Sequence, residues 1–152
     1  GEWAVLASEL ELPAHTIEVD GLPDGWYQFR VTATDRLTNP DGQARTGAAL
    51  SRPFLLDDAS PAIELDSRQA TPDGYAIVYR AEDQHSLITS AEYILDGGAP
   101  RQVIPQDGLF DATEETFRLT LPSLDDGPHT LIFRLKDEAG RTAVHQLTFT
   151  LP

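Results

Sequence analysis

The chain has 152 residues, 40% of them hydrophobic and 24% charged, which is enough apolar material for a packed core. Its 25 acidic residues against 11 Lys and Arg give a formal net charge of −14, a field that repels phosphate backbones and anionic membrane surfaces and so argues against nucleic-acid binding. Cysteine is absent, which excludes disulfides and thiolate chemistry, and no apolar run approaches the ~18 residues of a membrane helix.

The chain opens Gly1-Glu2-Trp3, without Met or a basic leader, and is expected to be a piece of a longer protein. Residues 2–7, carrying Trp3, read as a short strand. Thr16 to Asp20 alternates with Ile17 and Val19 on one side and reads as a second. A Pro-Asp-Gly turn at 23–25 leads into the strongest element, residues 26–34. There Tyr27, Phe29, Val31 and Ala33 alternate with Trp26, Gln28, Arg30, Thr32 and Thr34, the period of two of a strand with one buried face. Residues 35–47 are polar beyond Leu37 and form a long hairpin loop. The strand returns over 48–56. Pro53 inside it cannot donate to a ladder, so an edge or a bulge is expected there.

Asp57-Asp58-Ala59-Ser60-Pro61 marks a boundary that divides the chain into residues 1–58 and 59–152. Beyond it, strands are expected near 62–65, 75–81, 88–95, 101–104, 116–121, 129–136 and 142–151. Gly, Pro and Asp turns separate them every ~8–12 residues, the pattern of a β-sandwich. No stretch reads as an amphipathic helix.

The 22–35 segment has an echo. Leu22, Asp24, Gly25 and Asp35 recur as Leu124, Asp126, Gly127 and Asp137 at one constant offset of roughly 100 residues, the size of one sandwich module. Read by that offset, the second module is complete and the first retains only its C-terminal strands. The pattern Leu-Pro-Asp-Gly-x-Tyr-x-Phe-Arg-Val-x-Ala-x-Asp resembles the penultimate strand of fibronectin type III and bacterial immunoglobulin-like domains. The second copy, with Asp126-Gly127-Pro128-His129-Thr130 and Asp137-Glu138-Ala139-Gly140-Arg141-Thr142, is similar to the bacterial immunoglobulin-like form. It departs at His129, where that family places the tyrosine of a corner hydrogen bond. The resemblance implies an all-β, antiparallel immunoglobulin/fibronectin III-like β-sandwich fold, one module partial and one complete. It also implies an origin in the C-terminal region of a large secreted bacterial protein, some of which carry an upstream β-propeller.

Residues that could carry chemistry have plainer readings beside them. Asp83-Gln84-His85-Ser86 holds an acid, a base and a hydroxyl, but triads are assembled from separate elements. His15, His85, His129 and His145 form no ligand-spaced pair, and without cysteine a structural zinc site lacks ligands. His129 lies on the inward register of its strand and is expected to be shielded and neutral at pH 7, because burial disfavours the charged form. The pairs Asp57/Asp58, Glu114/Glu115, Asp125/Asp126 and Asp137/Glu138 read as turn-forming, solvated carboxylates. Asp35, Asn39 and Asp41 in one loop, with Asp57 and Asp58 in the linker, supply oxygens of the kind Ca²⁺ takes, but at no EF-hand spacing. Trp26 faces away from the expected core, either against a neighbouring module or as a platform for a sugar.

The expectation is therefore a non-catalytic spacer or protein-interaction module of a secreted bacterial protein, extracellular or periplasmic, with no cofactor, no metal and no catalytic residues. The alternative is a carbohydrate-binding accessory module. The expected partners are other domains of the parent protein and, through the incomplete first module, a second copy of the chain.

Overall fold

The computed structural model describes residues 2–12, 14–39, 42–72 and 74–151. Among them there is no helix, and therefore none long and apolar enough to cross a membrane. The described residues form eleven strands, and these pair only antiparallel.

Residues 62–151 hold seven strands in two sheets: β5 (Ala62–Thr71), β6 (Gly74–Glu82), β7 (Ile88–Leu95), β8 (Arg101–Val103), β9 (Glu114–Pro122), β10 (Gly127–Asp137) and β11 (Thr142–Leu151). One sheet runs β5-β6-β9 and the other β11-β10-β7-β8. Period-two alternation sends Ile77, Tyr79 and Ala81 inward from β6, and Phe117, Leu119 and Leu121 from β9. Leu131, Phe133 and Leu135 of β10 meet them from the opposite sheet, and all nine are almost wholly buried. Tyr79 and Phe133 stack across the sandwich, ring centroids 4.6 Å apart and 3° from parallel, and Phe117 packs 5.4 Å from Phe133. Each of the large side chains contributes roughly 1.5–3 kcal/mol by leaving water, so this layer dominates the stability of residues 62–151.

The earlier chain is thinner. The expected strand 26–34 is two pieces, β1 (Gly25–Tyr27) and β2 (Arg30–Thr34), and the return is β3 (Thr46–Leu50) and β4 (Phe54–Leu56). β1 pairs with β4 and β2 with β3. The break is a bulge: Gln28 and Phe29 lie opposite Ser51, Arg52 and Pro53. The register moves from Tyr27↔Phe54 to Arg30↔Leu50 across it. The Ser51 amide donates to the Phe29 carbonyl at 2.9 Å and the Phe29 amide to Ser51 Oγ at 2.9 Å, so the proline's missing N–H costs no bond.

Two expected strands do not form. Residues 2–7 and 16–20 carry no ladder, and Trp3, Val5 and Leu6 are exposed. Alternation of Ile17 and Val19 does not make a strand without a partner to pair it. The Arg30 guanidinium lies 4.4 Å over the Trp3 ring, which holds the leading segment near β2. Ile17, Tyr27 and Phe29 are half-buried, while Val31 is 65% exposed. Of this apolar face only the part near the bulge is covered: Phe54 packs 5.0 Å from Phe29 and 6.1 Å from Tyr27.

Candidate functional site

The most unusual chemistry lies where the chain passes from β4 into β5. Strand pairing explains the assembly. β5 begins beside the end of β6, since Ala62 pairs with Glu82, and β10 ends beside the start of β7, since Asp137 pairs with Ile88. Asp57 before β5, Asp83 after β6 and Asp137 at the end of β10 therefore share one end of the sandwich. On the other side of the junction Gly25 pairs with Leu56, which sets Asp24, just before β1, beside Asp57 and Asp58.

Asp57, Asp83 and Asp137 are 7%, 4% and 1% exposed. A carboxylate oxygen from each lies within 4.8 Å of those of the other two. One oxygen of each is fixed by the backbone. Asp83 Oδ1 accepts from the amides of His85 (2.9 Å) and Ser86 (2.8 Å) and from Ser86 Oγ (3.1 Å). Asp137 Oδ1 accepts from the Arg141 amide at 2.7 Å, and Asp57 Oδ1 from the Ala59 amide at 3.2 Å. The other oxygen, Oδ2 in all three, is buried and has no hydrogen-bond partner. Asp24, Asp57 and His85 make a second trio of the same dimension, and Nδ1 of His85 is likewise buried and unpaired. Burial pushes the Asp137 carboxyl up from its ordinary range. The Arg141 and Gly140 amides oppose this, and the charges of Asp83 and Asp57 add to it.

The Arg141 guanidinium bonds to the linker. Arg141 donates through Nε to the Asp57 carbonyl at 3.2 Å and through Nη2 to Asp58 Oδ1. Asp24 Oδ1 accepts from the Asp58 amide at 3.1 Å, and the Glu138 amide donates to the Leu87 carbonyl at 2.8 Å. The linker is thereby tied to both strand groups. A cleft of about 440 Å³ opens beside it, lined by Trp26, Phe54 and Leu56 on one side and Glu138 and Ala139 on the other.

The structure distributes the expected site residues as follows. Ser86 is 1% exposed and its hydroxyl donates to Asp83, so the 83–86 segment is a turn built around a carboxylate. His15 is exposed, and His145 is partly buried with its ring edge-on to Tyr79 at 5.3 Å. Asp57 and Asp137 are not solvated, contrary to the reading of their pairs as open turns, and Glu115 is buried as well. Glu115 Oε1 accepts from the Asp111 and Ala112 amides, whereas Glu114 remains outside and pairs with Arg80 at 2.9 Å. In the 35–47 loop, Asp35 Oδ1 accepts the Arg45 amide at 2.7 Å and the Asn39 amide group donates to the Asp35 carbonyl, which is turn chemistry. Asp41 lies outside the described residues.

His129 occupies the inward register, its side chain 11% exposed and its ring 5.6 Å from Phe149. Its polar contacts favour the charged ring over the neutral one expected. Nε2 faces the Asp125 carbonyl and Nδ1 faces Asp96 Oδ2, both at 2.8 Å. Both partners are acceptors, and only the imidazolium donates from both nitrogens. The carbonyl of Asp125 and the carboxylate of Asp96 raise its pKa above the ordinary histidine value, against the effect of burial.

Sequence reasoning placed Asp57 near an oxygen-rich linker but did not join it to Asp83 and Asp137, which lie in separate turns far along the chain. The available signal was the echo itself: Asp35 and Asp137 are equivalent, and a strand-end aspartate invites a search for partners at the same end. No protein-family model matches the chain, and no curated protein is detectably similar to it.

Proposed function

We propose that the chain is a structural spacer or protein-interaction segment of a larger secreted bacterial protein, working outside the cytoplasm. In this reading residues 1–58 are the C-terminal strands of one immunoglobulin/fibronectin III-like module and residues 59–152 are a complete one. The strand order supports it: β11-β10-β7 and β5-β6-β9 correspond to the G-F-C and A-B-E strands of that architecture. The observation that carries the spacer role is the bracing of the linker, in which Arg141 holds Asp57 and Asp58 while Asp24 holds Asp58. A hinge leaves its linker free; a spacer fixes it. ¹⁵N relaxation tests this. One rotational correlation time for β1–β4 and β5–β11 supports the spacer, and two independent times overturn it.

The open face that includes Val31, 65% exposed, then meets a neighbouring domain in the parent protein and a second copy when the chain is alone. Light scattering should show a dimer that Val31→Asp dissociates. The alternative function is carbohydrate binding. It is favoured by Trp26, 63% exposed on the rim of the junction cleft. A shift of the Trp26 indole signal with a panel of oligosaccharides would replace the spacer reading with that one.

A further inference from the structure

We infer that Asp57, Asp83 and Asp137 form a calcium site at the junction, with Asp24 and His85 at its margin. Acidic side chains gather on many surfaces, but these three are more than nine-tenths buried. A carboxylate oxygen of each lies within 4.8 Å of those of the other two, and each carboxylate has one buried oxygen, Oδ2, that makes no hydrogen bond. Buried charge is retained where it is paired or coordinates a metal. No hydrogen-bonding partner holds these oxygens among the described residues, and the Arg141 guanidinium is engaged by Asp58 and the Asp57 carbonyl.

The division of labour within each carboxylate points the same way. Oδ1 is held by backbone amides, which fixes the side chain, and Oδ2 is left buried and without a hydrogen bond. That is how carboxylate ligands are oriented around a cation by an outer layer of hydrogen bonds.

The donor set selects the ion. Three carboxylates are hard oxygen ligands, suited to Ca²⁺ or Mg²⁺. Mg²⁺ gives up its water reluctantly and keeps several, whereas Ca²⁺ accepts protein oxygens in a flexible shell. Asp137 at 1% exposure and Asp83 at 4% leave little room for retained water. Zinc favours nitrogen and sulfur, and the chain has no cysteine.

The consequence is mechanical. Asp24 comes from the first strand group, Asp57 from the linker, and Asp83 and Asp137 from the second group. A bound ion joins them, so the stiffness of the junction follows calcium. This goes beyond the spacer reading and does not depend on it: a junction braced by Arg141 alone is still a spacer.

The test uses the whole 152-residue chain, stripped with chelator and titrated calorimetrically with Ca²⁺, Mg²⁺ and Zn²⁺. We expect saturable binding of one Ca²⁺ per chain, a rise in melting temperature with calcium, and a parallel change in Trp26 fluorescence. Asp83→Asn and Asp137→Asn preserve the Oδ1 acceptor and replace Oδ2 by an amide. Each should weaken Ca²⁺ more than about tenfold, yet melt no lower than the wild type in chelator, because repulsion is relieved. Absence of calcium heat and of any thermal shift in the wild-type chain overturns the proposal, even if a variant fails to fold. Calcium affinity unchanged in both variants, or Zn²⁺ binding without Ca²⁺ binding, overturns it equally.

Discussion

Tyr27 and His129 make the same corner with different chemistry. The Tyr27 hydroxyl donates to the Pro23 carbonyl at 2.6 Å, and His129 Nε2 meets the Asp125 carbonyl at 2.8 Å, in each case four residues upstream. The second corner has a charge that the first lacks, because His129 Nδ1 also faces Asp96. Its stability should therefore depend on pH. The folded histidine pKa is raised, so its contribution is complete below the ordinary histidine value and is lost as pH rises through the folded value. Asp96 is shifted the other way, first by the Thr130 amide and then by His129. Its contribution is present above the ordinary carboxylate range and is lost as pH falls through the lowered folded value. Melting temperature should fall between neutral and alkaline pH, and His129→Tyr should remove that slope. A flat wild-type profile would refute the imidazolium.

The two tyrosines Tyr27 and Tyr79 should respond oppositely to loss of the hydroxyl. Tyr27→Phe breaks the corner bond and should cost about 0.5–1.5 kcal/mol, read from denaturant unfolding. Tyr79 is fully buried, its hydroxyl has no partner, and burial pushes its pKa up to about 12. Tyr79→Phe retains the stack on Phe133 and removes an unsatisfied group, so the protein should be as stable or more so. A cost above about 1 kcal/mol would mean that the hydroxyl has a partner in solution.

Glu115 should act as a buried acid. Burial raises its pKa, the Ala112 and Asp111 amides oppose, and the charges of Asp107 and Asp111 add to the rise. A raised carboxyl binds its proton more tightly when folded, so this residue makes the protein more stable as pH falls from neutral through its folded value. Glu115→Gln retains the Oε1 acceptor for both amides and should flatten that part of the profile without loss at pH 7. A large loss at pH 7 would show that the charge itself holds the 105–113 loop.

Much of residues 62–151 was legible because strong period-two runs such as Phe117-Leu119-Leu121 and Leu131-Phe133-Leu135 bury one face and leave the other polar. The irregularity at Pro53 was legible from local chemistry, because proline cannot donate to a ladder, whereas the corner expected to be lost at His129 forms there through the imidazole. Residues 2–7 and 16–20 were misread because alternation specifies a face and not a partner, and nothing in a local window says whether a ladder is available. The acceptors that face His129 were not legible, because Asp96 lies on another strand's turn. The carboxylate group was missed for the same reason: its members come from three turns that only the sheet topology brings together.

Gly74 gives the sharpest test of that topology. It opens β6 opposite Pro122 with φ +144°, a conformation L side chains rarely adopt. A Cβ there would lie 2.1 Å from the Leu121 carbonyl oxygen and 2.6 Å from the Pro122 carbonyl carbon. Both obstacles are backbone of the adjacent strand, which cannot rotate aside as a side chain does. Gly74→Ala must therefore separate β6 from β9 at this end or distort the turn, and should cost at least about 3 kcal/mol, the upper range for one substitution. Gly108 is the control. Its φ is also positive, at +89°, but a Cβ would meet nothing within 4 Å. Gly108→Ala should cost only the left-handed backbone penalty of about 1–2 kcal/mol. Equal losses in urea unfolding of the two variants would mean that β9 does not lie against Gly74, and the β6–β9 register would have to be redrawn.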